Sequence, residues 1–214
     1  MRFARESLPF VLPFLLLAGA LALLRRPGWA AAALVAGLLV LLFFRDPARR
    51  FGGPHETVIA AADGLVTLVD RVEDPEVGPG TYHRVVTFLS VFDVHTQRTP
   101  VGGEVVVSRY AAGRKVAAFK RDVDRINERH LTVIRRPDGD LVGVRQIAGL
   151  LARRVVCYLK EGERVERGQP MGLIKFGSRV DLLVPEGYRV LLAKGDRVRN
   201  GETTMAEPPG GAGG

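Results

Sequence analysis

Within residues 171–185, Gly177 and Ser178 sit between two apolar runs that read as strands. Glycine frees the backbone for strained dihedrals and leaves its own carbonyl unshielded, so the neighbouring hydroxyl can attack it with a large proximity advantage. On the dipeptide alone, a Gly-Ser turn between strands is the commoner meaning. Far upstream, Asp63 stands in Ala62-Asp63-Gly64, where a turn residue is its simplest reading. Asp93, His95, Gln97 and Arg98 crowd into the few residues before Pro100, dense polar chemistry beside a predicted core strand. The four histidines, at 55, 83, 95 and 130, lack the His-Xaa-His spacing of a zinc peptidase, and no metal is expected. Cys157, the single cysteine, rules out an internal disulfide and a cysteine-based zinc cluster; in the apolar run 155–159 it reads as a buried structural thiol.

The elements that must position these groups are mostly strands. Residues 58–69 read as a hairpin turning at Asp63-Gly64, and 70–80, with four acids, two prolines and two glycines, as an exposed loop. Strands follow at 83–90 and 102–108, and a hairpin at 131–134 and 141–147 turns through Pro137-Asp138-Gly139. Residues 113–130 are basic and polar, a solvated loop by default; 148–154 are a helical turn or a plain connection. The last third carries an internal repeat, 161–172 echoed by 194–205, each copy with two glycines around an Arg-Val pair. The glycines suit positive-φ turns and the Arg-Val a short strand. Gly177-Ser178 falls between the copies. The fold class is therefore mainly β, with residues 207–214 a disordered, low-complexity tail.

A different kind of segment precedes these strands. Residues 8–24 and 28–44 are two charge-free apolar runs split only by Arg25-Arg26-Pro27, each about 25 Å long as a helix. They read as a transmembrane helical hairpin, 1–46, with Trp29 at the interface and both ends on one side. Arg2, Arg5, Arg45, Arg49 and Arg50 outnumber the two loop arginines, which places the following domain, 47–206, in the cytoplasm at the inner membrane. A secretory signal peptide with a cleavage site near 18–22 is the competing reading. The net charge of +8 suits an anionic partner, and the apolar arm makes that partner a membrane rather than nucleic acid.

Four features in order give these residues a family. The apolar hairpin running into Phe43-Phe44-Arg45-Asp46-Pro47, then Ala62-Asp63-Gly64, then Asp93-Val94-His95 before Pro100, then Phe176-Gly177-Ser178 after the first repeat copy together resemble the short form of the phosphatidylserine decarboxylase proenzymes. The resemblance spans nearly the whole chain and implies a lyase. In that family the Gly-Ser bond cuts itself and the serine becomes a pyruvoyl cofactor. Here that implies cleavage between Gly177 and Ser178, with the two chains remaining associated. It implies Ser178, Asp63 and His95 as catalytic residues, Asp63 in the charge relay. The pyruvoyl carbonyl forms a Schiff base with the lipid amine and acts as an electron sink for decarboxylation. His95 matches the first of two family histidines, and Arg98 stands at the second. Either His95 covers both duties or Arg98 takes one; an arginine stays protonated, so its suited task is holding the carboxylate or phosphate of the substrate. Asn127-Glu128-Arg129 matches a family motif with a place near the lipid headgroup. The repeat is similar to the halves of biotinyl and lipoyl carrier domains. A homo-oligomer is expected. The alternatives are an archaetidylserine decarboxylase acting on an ether lipid, or a membrane-anchored carrier-like binding module with Lys175 as the modified residue.

Overall fold

The two apolar runs become two helices. The computed structural model describes residues 2–51, 53–113, 126–149, 154–175 and 178–210. By contacts the chain divides into two units, Met1–Ala48 and Arg49–Gly214. In the first, β1 (Arg2–Phe3) leads through a short 3-10 turn into α1 (Leu8–Leu23), then α2 (Pro27–Phe43) and β2 (Arg45–Asp46). Pro27 opens α2, where its missing N–H would have no helical partner anyway. Arg25 turns the corner at a left-handed φ of 54°, with its N–H bonded to the Ala22 carbonyl. The helices approach closely at Gly37, where a Cβ would lie 3.0 Å from that of Phe14. β1 pairs antiparallel with β2, so both ends of the hairpin lie together. The stretch Arg5–Leu23 is long and apolar enough to cross a membrane by length and composition; Pro27–Phe43, at 17 residues, is shorter.

The second unit is built from β3 (Val58–Ile59), β4 (Gly64–Glu73), β5 (Thr81–Leu89), β6 (Thr96–Arg98) and β7 (Gly103–Ala111). These are followed by β8 (Arg129–Arg135), β9 (Leu141–Ala148), β10 (Val155–Cys157), β11 (Arg164–Val165) and β12 (Pro170–Ile174). β13 (Ser178–Pro185), β14 (Arg189–Val190), β15 (Arg197–Val198) and β16 (Thr204–Glu207) complete it. An antiparallel eight-stranded sheet runs β11-β7-β8-β9-β13-β5-β4-β15, beside two three-stranded sheets, β10-β12-β6 and β14-β16-β3. β13 is central to the large sheet, paired with β5 on one side and β9 on the other.

Strand alternation divides β13 between two faces. Val180, Leu182 and Val184 join Val85, Leu89, Val144 and Ala148 in the main core, against Met171, Ile174 and Met205 of the small sheets. Leu183 turns the other way, onto Val77, Tyr82, Leu131 and Val133. Asp181 shares that second face, fully buried and gripped by both ends of the Arg179 fork at 2.6 and 2.7 Å. Burial pushes the Asp181 carboxyl up, and the Arg179 bonds pull against it.

The repeat is visible as local geometry. Gly162, Gly168, Gly195 and Gly201 all take positive φ. The Arg-Val pairs are β11 and β15, which close the two opposite edges of the large sheet against β7 and β4. Equivalent backbone bonds recur: the Gly162 N–H reaches Val105 O and the Gly195 N–H reaches Val66 O, both at 2.8 Å. At the starts of β7 and β4, Gly103 and Gly64 face the backbone so tightly that a Cβ would sit 2.1 Å from Arg135 O or 2.2 Å from Phe88 O.

Several readings change. The hairpin expected at 58–69 does not form: β3 pairs with β16 in a small sheet, and β4 pairs with β5 and β15. Asp63-Gly64 is a crossing between two sheets, and local turn signals cannot distinguish that from a hairpin. The exposed loop expected at 70–80 begins later, since β4 runs to Glu73, and it buries Asp74 and Val77. Cys157 is half-buried rather than buried, its thiol pushed up by burial. Residues 114–125, 150–153 and 211–214 lie outside the described residues, and with them most of the basic loop and the end of the tail; Glu207 completes β16.

Candidate active site

Ser178 opens β13 on the core face, between Leu89 at the end of β5 and Ala148 at the end of β9. It is fully buried, and its hydroxyl has no hydrogen-bond partner among the described residues. A buried hydroxyl left so costs about 1–3 kcal/mol, which makes it a candidate for chemistry rather than packing. Gly177 lies outside the described residues.

His95 is 1% exposed and reaches the same corner by a second route. Leu89, the partner of Ser178, is followed by the loop 90–95, and Thr96, which follows His95, pairs with Leu173 of β12. The loop that begins at the strand partner of Ser178 thus ends at His95. The ring Nδ1 lies 2.9 Å from Asp93 O. A carbonyl only accepts, so Nδ1 carries the hydrogen; in the neutral ring Nε2 is then the nitrogen with the lone pair of a base. The His95 carbonyl is held by the Gln97 side chain at 2.8 Å, and Gln97 Oε1 accepts from Gln146 at 2.9 Å, both glutamines fully buried.

Asp63 occupies a neighbouring polar group. Its carboxylate accepts from Arg49 Nη2 at 2.7 and 3.0 Å and from the Asn200 N–H at 2.7 Å. Burial pushes the carboxyl above its usual range, against the pull of the Asn200 N–H and Arg49. Asn200 also reaches the segment after His95: its Nδ2 donates to Thr96 O at 2.7 Å. Arg98 completes the group: its N–H reaches Ala61 O at 3.0 Å, Nη1 reaches Gly168 O at 3.0 Å, and its Cδ lies beside Gly201 with the Arg49 side chain. A cavity of about 400 Å³ opens next to it, between Gly168 and Gly201, walled by Arg49, Arg167, His55 and Phe51.

Several supporting residues carry no motif signal. Asn200 is fully buried and sits where the first repeat copy has Arg167, so comparing the copies would have flagged it. Asn127 and Glu128 are not a solvated loop: Asn127 Nδ2 donates to Ala148 O at 2.7 Å, and Glu128 O and Oε1 accept from Ala148 N and Val155 N at 2.9 Å. They fix Ala148, the strand neighbour of Ser178. Among the described residues no group of three metal-ligating side chains is found.

A fully buried serine, a buried histidine on the loop that follows its strand partner, and a buried, arginine-held aspartate suit acyl chemistry within the chain itself. Comparison with known proteins names the class. The sequence profile of the phosphatidylserine decarboxylase family matches residues 36–206. A phosphatidylserine decarboxylase proenzyme of Saccharopolyspora erythraea is 44% identical over 201 residues, covering 91% of this chain and 85% of that protein. The proenzymes of Symbiobacterium thermophilum and Aromatoleum aromaticum are 43% and 39% identical, each covering 96% of this chain and 95% of their own length. The chain belongs to the phosphatidylserine decarboxylase family, carboxy-lyases made as proenzymes. Neither the ether-lipid nor the carrier-module alternative is favoured by these relatives.

Proposed function

We propose that this decarboxylase matures by cutting itself between Gly177 and Ser178 and works with a pyruvoyl group made from Ser178. The single observation that carries this is the fully buried, unpartnered Ser178 hydroxyl at the head of the central strand. His95, with its Nε2 lone pair, takes the hydroxyl proton; Ser178 Oγ bonds to the Gly177 carbonyl carbon as the peptide C–N bond breaks, giving an ester and a free Ser178 amine. The Ser178 Cα proton is then removed as Gly177 leaves Cβ as a carboxylate, giving a dehydroalanine; water adds to its imine form and nitrogen departs as ammonia, leaving the pyruvoyl group heading the small chain. When formed, that group supplies an electron sink for the carbon that loses carbon dioxide. Asp63 steadies the charge that develops on His95, held at its station by Arg49 and coupled to the His95 segment through Asn200. Arg98 holds an anionic group of the substrate, a carboxylate or phosphate matched to its fork.

The apolar arm spans the membrane as a hairpin, with the catalytic unit cytoplasmic. Support comes from the β1–β2 pairing that brings both ends together, and from the leucines left on its outside, Leu16 at 66% and Leu23 at 87% exposure. The repeat halves form a carrier-like pair around the cleavage site. Intact-mass measurement tests the core of the reading: wild type should give two chains, the small one short of ammonia, and Ser178→Ala one. A wild-type protein that stays full length while decarboxylating phosphatidylserine would sink it.

A further inference from the structure

A phospholipid keeps its acyl chains in the bilayer, so the reacting residue must come within a headgroup's length of the surface. Loop 90–95 leads from Leu89, the strand partner of Ser178, to His95, and its tip is apolar. Phe92 is 84% exposed and Val91 44%. The loop is braced: Asp93 Oδ2 accepts from Ser90 N at 2.8 Å and Ser90 Oγ at 2.7 Å, while Arg197 reaches Oδ1 at 3.4 Å. The same end of the large sheet exposes Tyr110, one residue before the Ala111–Arg129 pair, and Ile126. Scattered single apolar residues need no explanation, but Val91 and Phe92 side by side at a loop tip, with Tyr110 and Ile126 at the same end of the sheet, set that end apart.

Charge follows the same axis. Arg109, Arg129, Arg197 and Lys175 belong to the Ser178 end, where Asp93 is taken up within the loop and Glu128 is buried by backbone donors. The opposite end carries both signs, with Glu73, Asp138 and Glu186 at its turns. An apolar tip at a sheet end that also carries these cations fits the boundary between headgroups and acyl chains of an anionic bilayer.

We infer that the Ser178 end of the large sheet is the face that docks on an anionic phospholipid bilayer, with Phe92 entering the acyl boundary beside the reacting centre. The inference rests on the decarboxylase reading with Ser178 as that centre. Full-length protein with Trp29→Phe, which removes the single native indole, carries either Phe92→Trp or, at the far end of β13, Glu186→Trp. Both are reconstituted in phosphatidylglycerol–phosphatidylcholine vesicles with brominated acyl chains. The indole at position 92 should lose at least half its emission and the one at 186 little; equal quenching overturns the docking. Phe92→Asp should still cleave itself and turn over short-chain, monomeric phosphatidylserine within twofold of wild type, but lose about tenfold on vesicle substrate. Unchanged vesicle turnover, or equal loss on both substrates, overturns the inference. A wild type that neither cleaves nor decarboxylates the soluble substrate defeats the decarboxylase reading instead, and the quenching comparison still decides the docking.

Discussion

Replacing Arg49 by alanine in a Ser178→Ala background, where processing cannot intervene, isolates the pair that holds Asp63. The two side chains are only 10% and 13% exposed, and Arg49 Nη2 touches both carboxylate oxygens. Removing one partner of such a buried pair costs about 3–5 kcal/mol, because the remaining charge loses its counterion without regaining water. Asp63 would keep the Asn200 N–H at 2.7 Å, which points to the lower end, about 3 kcal/mol. For a domain of this size that lowers the thermal midpoint by roughly 6–12 °C. The loss also has a pH dependence of definite sign. Burial already raises the Asp63 carboxyl, and Arg49 is one of the groups pulling it down, so without Arg49 it rises further. As pH falls the variant can protonate Asp63 and shed the unpaired charge, so its loss should be smaller at about pH 5 than at about pH 8. Midpoints of both proteins in detergent, at the two pH values, measure this directly. Adding Asp63→Ala should restore part of the stability, since removing both partners leaves no buried charge. A loss at pH 8 smaller than 2 °C, or a larger loss at pH 5 than at pH 8, would refute the account of Arg49 as the counterion that Asp63 needs.

Other expectations are simpler to state. His95→Ala should block or slow the appearance of the small chain at least a hundredfold, the low end of what a general base contributes; Arg98→Ala should leave cleavage largely intact and raise the apparent KM for lipid, both read on gels and in a carbon-dioxide assay. His130 is buried and its ring is held below the usual imidazole range. The unfolded chain therefore takes up that proton first, and stability should fall as pH drops below about 6.5, a slope that His130→Gln flattens in thermal melts. Gly64→Ala would place its Cβ only 2.2 Å from Phe88 O, so the β4–β5 register must shift and the variant should fail to fold or to cleave; wild-type-like processing would show that the approach is not required.

Much of this protein is legible in the order of its residues. Two uninterrupted apolar runs around Arg25-Arg26-Pro27 can hardly be anything but paired helices, because nothing polar marks an outward face and the connector allows only a turn. Alternating β-branched runs with Pro137-Asp138-Gly139 between them form the β8–β9 hairpin where expected, since adjacent strands meet at little entropic cost. The repeat glycines take their positive φ in both copies for the same local reason. Chemistry-bearing types were also visible one at a time: a hydroxyl after glycine, a histidine in a polar knot, an aspartate before glycine.

What they touch is a matter of pairing between distant segments, where local signals fall silent. Asp63-Gly64 carries the signature of a hairpin, yet β3 leaves for a sheet closed by β16, because burying Val58 against Met205 and Ala206 outweighs a turn preference. Asn127 and Glu128, polar and charged, are drawn inside to satisfy the backbone beside Ala148; burial requires those bonds, and no composition rule foresees them. Asn200 stands 137 residues from Asp63 and is joined to it only because β15 closes the edge of β4. Residue type and local order determined which groups could act; long-range strand pairing, paid in chain entropy and returned by burial, decided which of them meet.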